Sequence, residues 1–450
     1  MEMNRHTKTI LLLALLLTVR GVQAEDVVQV KPFTTTAGIT LDDEETFSME
    51  MVNTNAYTAL EFRLTLPEGI TLDMEYPFEM NPDRFPGKTR KGIFYPNHDY
   101  DITNPAPGQY YIKIYNTALE TIDGTEGEIL TFYYETSADL KPGYYPIRVT
   151  GTILAIDSHN GVEPPASVSF VAVTNDGGEV PANALLDLGS DEIPSFVASE
   201  LPEKNVVRGG VCENLVLTDG ADFAIDGEIT ARTATLGRKF TAGRWNTVCL
   251  PFDMTAEDIA SQLGTDAEVK EMTAVTRDGD NYKLTFGDAT GIQAGLPYII
   301  RVGSNVSSIS LEEKTVVGAC TESTIDDVTY RGTFAYGKAP LGSYIISGNA
   351  FYAVNSDVTL PAFRGYFTVD AGAEVKGMTF VIDGEDDATS INEELRVTKQ
   401  GSTAEGKVNE ESKGTVYDIA GQRMDNGPWT MDNSHLPKGI YVVGGKKVLK

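Results

Sequence analysis

Hydrophobic residues recur at every second position through long parts of this chain, with polar or charged residues between them. Leu60, Phe62 and Leu64 belong to one such run, and Phe47 begins another. A period of two is that of a strand with one face in a core and one face in water. Turn signals separate the runs, and no stretch here keeps a helical period for three turns. The pattern predicts a β-sandwich over residues 25–175.

A second β region is organised around the apolar run WNTVCLPFD, residues 245–253, whose proline keeps it from continuing as a helix. Thr255 and Asp258 then follow with the spacing of a capping box, and Gly264 is placed to end the helix that they begin. Further strand-like runs come after this helix, two of them joined by a hairpin-type turn. These features predict a second β-sandwich with one short helix over residues 235–383.

Changes in composition divide the chain. Its first residues combine a basic start, a short apolar run and the small residues that precede a cleavage site, as a signal peptide does. Two later segments are polar and poor in apolar anchors, which is typical of linkers. The predicted fold class is all-β, with tandem β-sandwich domains and a short C-terminal β module. The predicted parts are a signal peptide (1–24), a first sandwich (25–175), a linker (176–204), a short β segment of the next domain or of a separate stalk (205–234), a second sandwich (235–383), a flexible linker (384–413) and the C-terminal module (414–450).

The charge of the chain narrows the classes of partner. Asp and Glu number 65 against 36 Lys and Arg, which gives a net charge of −29. Such a surface repels nucleic acid and anionic membranes, so we expect no nucleic-acid partner. The N-terminal apolar run is too short for a permanent anchor, so we expect no membrane span in the mature chain. The composition suits a secreted protein and is compatible with neutral glycans or with cations.

Few residues suit catalysis or metal binding. Three cysteines in a chain of this length do not make a disulfide scaffold. Cys249 lies in the apolar run and is expected to be a small buried hydrophobe, while a bridge between Cys212 and Cys320 stays open. The histidines are far apart and lack metal-ligand spacing, and no nucleotide-binding or nucleophile-elbow motif occurs. We therefore predict no enzyme activity, no metal site and no cofactor.

Four strand-like segments, FSMEMVN, ALEFRLTLPEGITL, GEILTFYYE and PGYYPIRVTGTILAI, give the first region its resemblance to a known family. In this order they resemble the cohesin-like and carbohydrate-binding sandwich family. The resemblance implies a jelly-roll-type module that makes protein–protein or protein–glycan contacts. No duplicated calcium loop of the dockerin type accompanies it, so a cellulosome role does not follow. In the second region, WNTVCLPFD, AGLPYIIRV, GNAFYAV and PAFRGYFTV resemble a structural module of large proteins exported by type IX secretion.

Aromatic residues concentrate in residues 75–111, which we interpret as a long loop that also carries several basic residues. Aromatic faces beside a few polar groups are typical of surfaces that bind sugars or proteins. The alternative is that these rings only pack the loop onto the sandwich. The candidate ligand-binding residues are Tyr95, Tyr100, Tyr110 and Tyr111.

The C-terminal segments TVYDIAGQRM and LPKGIYVVGGKKVLK resemble the sorting domain of type IX secretion. The resemblance implies that the secretion machinery is a partner, and that the protein is secreted or at the cell surface of a Gram-negative bacterium after export through the periplasm. The segment between Met424 and Leu436 departs from the compact turn that is usual there, which leaves cleavage of the module open. The residues that match are Tyr417, Asp418, Gly421, Gly439, Tyr441, Lys446 and Lys447.

Two functions remain compatible with the sequence. The first is a non-catalytic binding or adhesion protein that takes a glycan or a surface protein through its first sandwich. The second is a structural spacer, or an accessory subunit of an extracellular glycan-degrading system, that has no ligand of its own. Exposed, coplanar tyrosines in residues 94–111 favour the first function, and burial of all of these tyrosines favours the second.

Overall fold

The computed structural model describes residues 25–382 except 176–177, 191–192, 348 and 371–374, and in the C-terminal part residues 416–418, 440–443 and 446–449. The fold is about 53% strand and 4% helix, which confirms the predicted all-β class. The predicted signal peptide (1–24) and the predicted linker 384–413 lie outside the described residues.

Residues 25–175 form two facing sheets. The first has the strand order β1-β3-β11-β5, with β6 also paired to β11, and the second has the order β2-β14-β12-β4-β10-β9, with β13 on β12. A single 3₁₀ turn, Leu41–Asp43, precedes β3. The strands are β1 (Val27–Val30), β2 (Phe33–Thr36), β3 (Thr46–Val52), β4 (Ala59–Thr65), β5 (Ile70–Leu72), β6 (Phe78–Met80), β7 (Gly87–Arg90), β8 (Ile93–Pro96), β9 (Asp99–Ala106), β10 (Gln109–Tyr115), β11 (Glu128–Thr136), β12 (Gly143–Ala155), β13 (Gly161–Val162) and β14 (Ser167–Thr174).

The alternating residues of the sequence form the core between these sheets. Leu60 is 1% exposed, Phe62 and Leu64 are 0% exposed, and Phe47 is 3% exposed. The residues between them on β4 face outward, as the period of two requires. The predicted β-sandwich is therefore what the alternation builds.

Residues 183–382 contain three further sheets of five strands each within the described part of the chain. Their strand orders are β15-β16-β17-β18-β23, β19-β22-β20-β21-β31 and β24-β25-β30-β27-β28, and β26 pairs with β29. The elements are β15 (Leu186–Asp187), α1 (Ser195–Ala198), β16 (Val206–Arg208), β17 (Val211–Thr218), β18 (Glu228–Phe240), β19 (Asn246–Cys249), α2 (Ala256–Leu263), β20 (Glu268–Asp278), β21 (Asn281–Asp288), β22 (Pro297–Arg301), β23 (Val306–Val317), β24 (Glu322–Ile325), β25 (Val328–Thr333), β26 (Gly337–Lys338), β27 (Tyr344–Ser347), β28 (Ala350–Ala353), β29 (Thr359–Leu360), β30 (Arg364–Val369) and β31 (Gly377–Ile382).

The predicted helix is present as α2, and its capping box is complete. Thr255 accepts from the backbone N–H of Asp258 at 3.1 Å, and the Asp258 carboxylate accepts from the N–H of Thr255 at 2.9 Å. Ile259 and Leu263 form its buried face. The prediction that Thr255 and Asp258 begin this helix and that Gly264 ends it is confirmed.

The segment between the two predicted sandwiches contains more structure than a linker would. Leu186 and Leu188 are fully buried, and they pack against Val168 and Phe170 on the outer face of β14. Strand β17 pairs with β18, and β18 pairs with β23. Residues 205–234 thus belong to the same sheet as β23, while the predicted domain boundaries remain predictions.

The cysteines are free thiols, so the Cys212–Cys320 bridge that the sequence left open is not formed. Cys249 is 0% exposed, as expected of a small buried hydrophobe. Cys212 is also 0% exposed and packs in the same hydrophobic core.

A buried arginine joins the run around β19 to two other sheets. Arg238 in β18 is 1% exposed, and its guanidinium donates to the backbone carbonyls of Thr247 in β19 and of Phe363, just before β30. The N–H of Cys249 donates to the same Phe363 carbonyl at 3.1 Å. Because β18, β19 and β30 lie in three different sheets, one side chain connects all three.

The C-terminal strands are β32 (Val416–Asp418), β33 (Ile440–Val443) and β34 (Lys446–Leu449), and they form one antiparallel sheet. Strand β33 is central, with Tyr417 opposite Val442 and Val442 opposite Lys447. The strand character predicted for this module is present in these described residues.

We predict that Arg238→Ala lowers the free energy of unfolding of the part that contains β19 by about 3 kcal/mol, because two buried carbonyls each lose one hydrogen bond and a cavity remains. The exposed neighbour gives the control, and Lys239→Ala should change this free energy by less than about 0.5 kcal/mol. Urea unfolding is followed by Trp245 fluorescence in a Trp429→Phe background. Equal stabilities of the two alanine variants would contradict the prediction.

Candidate functional site

The aromatic segment 75–111 is not a long loop, which corrects the prediction. It folds as β6, an isolated hairpin of β7 and β8, and the strands β9 and β10 at the edge of the second sheet. Some of its prolines and glycines, such as Pro82, Gly92 and Gly108, lie in turns between short strands, whereas Pro96 and Pro105 lie within β8 and β9. The aromatic residues consequently alternate between faces, and their positions in the strands decide which of them reach solvent.

The β7–β8 hairpin presents two cations and two apolar side chains on one face. Lys88 lies opposite Tyr95, and Arg90 lies opposite Ile93. Directly opposed residues of an antiparallel pair share a face, so these four residues form what we term the hairpin face. All four are exposed, and Ile93 and Tyr95 are 57% and 51% exposed.

The turn of the hairpin consists of Lys91 and Gly92, both with positive φ, 52° and 81°. This conformation is that of a two-residue turn whose twist matches the twist of the flanking strands. Glycine adopts it freely, whereas Lys91 enters the left-handed region at some cost. The turn adds a third cation at the tip of the hairpin.

The base of the hairpin is anchored in the sandwich. The N–H of Asn97 donates to the carbonyl of Pro86 at 2.8 Å, and the rings of Phe85 and His98 meet edge to face at 5.1 Å between centroids. Phe85 and His98 are 1% and 2% exposed. The hairpin therefore projects from a buried stem.

The cations of the hairpin differ from the other basic residues nearby. Arg84 is 4% exposed and donates to the side-chain oxygen of Asn53 at 2.8 Å, and burial lowers its pKa. By contrast, within the described part of the chain no carboxylate forms an ion pair with Lys88, Arg90 or Lys91. The hairpin is thus a positively charged projection on a protein with a net charge of −29.

Tyr110 does not reach solvent, and this corrects its assignment as a ligand-binding residue. It is 1% exposed, and its hydroxyl oxygen accepts from the N–H of Leu72 at 2.9 Å. On β10 it shares the core face with Ile112 and Ile114. Its role is to join the two sheets of the sandwich.

Tyr111 faces the opposite side of β10 and is held by its neighbours. Its hydroxyl donates to the carboxylate of Glu61, and this hydrogen bond raises the pKa of Tyr111. Partial burial acts to raise the pKa of Glu61, but the Tyr111 hydroxyl and the charge of Lys113 outweigh it and lower that pKa. Lys113 and Arg63 lie at 5.0 and 5.8 Å from the centre of the Tyr111 ring. Tyr111 is therefore half-buried within a surface network.

Tyr100 lies at the open edge between the two sheets. It is opposite Ile114 in the register, so it faces the core side, and its ring is 4.7 Å from that of Phe78. It is 40% exposed. Nearby, the rings of Tyr76 and Tyr133 are 5.7 Å apart, and Tyr76 is 55% exposed. We term Tyr76, Tyr100 and Tyr133 the aromatic edge.

The four predicted tyrosines are thus not brought together. Tyr95 is on the hairpin face, Tyr100 is at the aromatic edge, Tyr110 is in the core and Tyr111 is on the outer face. Sequence reasoning did not select Ile93 or the members of the aromatic edge other than Tyr100. Ile93 could have been found by treating Lys91-Gly92 as a hairpin turn.

The sorting-like residues are only partly within the described residues. Tyr417 and Asp418 lie in β32, Tyr441 in β33, and Lys446 and Lys447 in β34. Gly421 and Gly439 lie outside the described residues. The register brings Asp418 opposite Tyr441.

The described residues contain neither a metal-binding cluster nor a membrane-spanning helix. No group of three or more His, Cys, Asp and Glu side chains is placed to hold a metal ion there. No helix in that part of the chain is both long and apolar enough to cross a bilayer.

Solved structures similar to this chain include cohesin modules. The cohesin CaCohA2 from Clostridium acetobutylicum is 15% identical, with a TM-score of 0.27, and the match covers 34% of this chain and 94% of that chain. The non-cellulosomal cohesin from Archaeoglobus fulgidus is 12% identical, with a TM-score of 0.26, over 34% and 93% of the two chains. The cohesin module of a Clostridium perfringens family 33 glycoside hydrolase is 9% identical, with a TM-score of 0.24, over 33% and 97%. At these TM-scores the likeness carries no argument about function. No protein-family model and no curated protein sequence matches the chain.

The buried imidazole at the hairpin base predicts a pH dependence. Burial lowers the pKa of His98, and the nearby carbonyls of Glu120 and Thr58 offset this only in part. His98 therefore binds a proton more readily in the unfolded chain than in the folded chain. The stability that depends on neutral His98 is present above about pH 6.5 and is lost as the pH falls below it.

We therefore expect His98→Phe to remove part of the acid destabilisation of the first sandwich. The measurement is the unfolding midpoint between pH 8 and pH 5, followed by the near-ultraviolet circular dichroism of the buried tyrosines. His159→Phe, at an exposed histidine, is the matched control and should behave as the wild type does. Identical pH profiles for the wild type and His98→Phe would show that this imidazole does not contribute.

Proposed function

We propose that residues 25–175 are a non-catalytic binding module and that its partner is a protein, which it engages through the hairpin face. The observation that carries this proposal is the composition of that face. Two cations that form no ion pair with a carboxylate among the described residues flank Ile93 and Tyr95 on a hairpin with a buried stem. Exposed isoleucine and tyrosine side chains side by side cost free energy in water, and a partner surface that covers them recovers it.

The chemistry of the face indicates the chemistry of the partner. Aromatic and arginine side chains are enriched among the residues that dominate protein interfaces. The charges of Lys88 and Arg90 favour an acidic surface, which they would attract from a distance and orient. Because the hairpin is anchored by Phe85 and His98, little backbone ordering is needed on binding. An acidic protein surface with an apolar pocket fits these features.

A second candidate function is glycan binding at the aromatic edge. Tyr76 and Tyr100 are exposed aromatic side chains at an opening between two sheets, and Phe78 supports Tyr100 from below. Neutral sugars stack on such rings without any charge on the protein. The third possibility is a structural spacer, or an accessory subunit of an extracellular glycan-degrading system, with no ligand of its own.

For the C-terminal module, we propose a role in sorting through type IX secretion, which would place the protein outside a Gram-negative cell, secreted or at its surface. The support is the resemblance of residues 414–450 to that sorting domain, together with the three-stranded sheet of β32, β33 and β34. A small sheet with two lysines in its last strand, Lys446 and Lys447, is a compact element that the secretion machinery could recognise.

The protein-binding proposal predicts a site-specific cross-link. A photo-reactive phenylalanine analogue is placed in the full chain at position 95 or, as the control, at Tyr336, which is 45% exposed in the other part of the chain. After incubation with secreted and surface proteins of the source bacterium, we expect a discrete adduct only from position 95. Lys88→Glu with Arg90→Glu should abolish it, while Lys239→Glu should not.

With the partner isolated, Tyr95→Ala should weaken binding by about tenfold or more, as truncation of a central interface tyrosine does. A glycan array run in parallel tests the second candidate with Tyr76→Ala and Tyr100→Ala. If the adduct from position 95 still forms in the Lys88→Glu, Arg90→Glu variant, the hairpin proposal is overturned. If neither a cross-linked adduct nor glycan binding is observed, the spacer remains as the function.

The sorting proposal predicts that deletion of residues 414–450 leaves Trp245 fluorescence native but retains the protein in the periplasm. Cell fractionation and surface immunoblotting in a type IX-competent host measure this. The double variant Lys446→Ala and Lys447→Ala, which keeps the strands, separates loss of the basic end from loss of the whole module. Normal surface display of the truncated chain would refute the proposal.

A further inference from the structure

Two cysteines that are far apart in the sequence meet in the structure. Cys249, at the end of β19, and Cys320, in the connection between β23 and β24, are 71 residues apart in the chain, and their sulfur atoms are 3.7 Å apart. Cys249 is buried and Cys320 is half-buried. Cys212, the third thiol, lies on β17, where its register partners are Val207 and Ala231.

One carbonyl holds both cysteine segments in place. The oxygen of Gly295 accepts from the Cys249 thiol at 3.2 Å and from the N–H of Thr321, the residue after Cys320, at 2.8 Å. The N–H of Gly295 in turn donates to the carbonyl of Leu250 at 2.7 Å. The approach of the two sulfur atoms is therefore fixed by backbone hydrogen bonds on both sides.

Gly332, which has no side chain, lies next to the two sulfur atoms. A Cβ atom at Gly332 in β25 would lie 2.3 Å from the sulfur of Cys249 and 3.4 Å from the Cβ of Cys320. Only a glycine at this position of β25 leaves room for the Cys249 sulfur. The space occupied by the two thiols thus depends on this residue.

The two thiols differ in reactivity. The hydrogen bond from Cys249 lowers the pKa of Cys320, although burial acts against it. The same hydrogen bond and then burial raise the pKa of Cys249, with the charge of Arg238 acting in the opposite direction. Because the thiolate is the nucleophile, the half-buried Cys320 is the thiol that reacts first with a reagent from solution.

We infer that Cys249 and Cys320 are a disulfide-forming pair, and that an oxidant of the disulfide class, either a thiol–disulfide oxidoreductase or a small-molecule disulfide, converts them into a bridge. The Cys320 thiolate attacks one sulfur of the reagent, releases the other as a thiolate and forms a mixed disulfide. Cys249 loses its proton, attacks the sulfur of Cys320 and expels the second half of the reagent. The protein loses two protons and two electrons, and the reagent gains them and becomes two thiols.

The bridge would constrain the unfolded chain. It joins β19 to the segment between β23 and β24 and closes a loop of 71 residues. Closure of a loop of this length lowers the entropy of the unfolded state and stabilises the fold. The expected rise in the unfolding midpoint of this part is ~10 °C.

The experiment uses the full chain, reduced and then freed of reductant, with oxidised glutathione as the probe. We expect the thiols that react under denaturing conditions to fall from three to one, and peptide mapping to recover a Cys249–Cys320 link. Cys249→Ser should stop at a glutathione adduct on Cys320, and Cys320→Ser should form no intramolecular bridge. Cys212→Ala is the matched control at another buried cysteine and should form the bridge at the wild-type rate.

Three outcomes overturn the inference. They are a link that involves Cys212, a glutathione adduct on Cys320 that persists in the wild type, and three thiols that remain free at the end of the oxidation. The wild-type thiol count and the peptide map decide the matter even if one of the serine variants does not fold.

Discussion

The part of the chain that contains β19 depends on one buried cation. A charge taken out of water is costly unless hydrogen bonds replace its hydration. For Arg238 the replacement comes from backbone carbonyls of two other sheets, while Asp219 pairs with Arg364 at 2.9 Å. Burial, and then the neighbouring charge of Arg364, lower the pKa of Arg238, and Asp219 opposes them. The two terminal nitrogens of the guanidinium reach their carbonyl acceptors only when the three sheets stand in their native positions, so this side chain links those positions.

What the sequence predicted well was carried by short-range signals. The alternation around Leu60 and Phe62 needs only neighbouring positions, and the pattern of Thr255 and Asp258 needs a spacing of three. Such signals determine which residues enter a core and where a helix begins. They do not determine which distant strands pair, and the shared sheet of β17, β18 and β23 therefore became visible only in the structure.

The candidate site was predicted less well, for two physical reasons. The strand period was present in the sequence, because Tyr110 and Ile112 share one face of β10 and Tyr111 lies on the other. The nearby prolines and glycines nevertheless favoured the prediction of a loop. Tyr100 depends on its register with Ile114, which no local pattern specifies. The approach of the thiols of Cys249 and Cys320 likewise depends on contacts between distant parts of the chain. Neither hydrophobicity nor spacing along the chain specifies such contacts.

Strand β9 forms an open border of the second sheet and carries Asp99, Asp101 and Pro105, with an irregularity in its pairing opposite Tyr110. Proline offers no N–H to an added strand, like charges repel a second copy of the same border, and an irregular register misaligns the remaining donors. These three features guard against aggregation through strand addition. Molecules of this protein can thus be crowded together at high concentration without this border joining them into a continuous sheet.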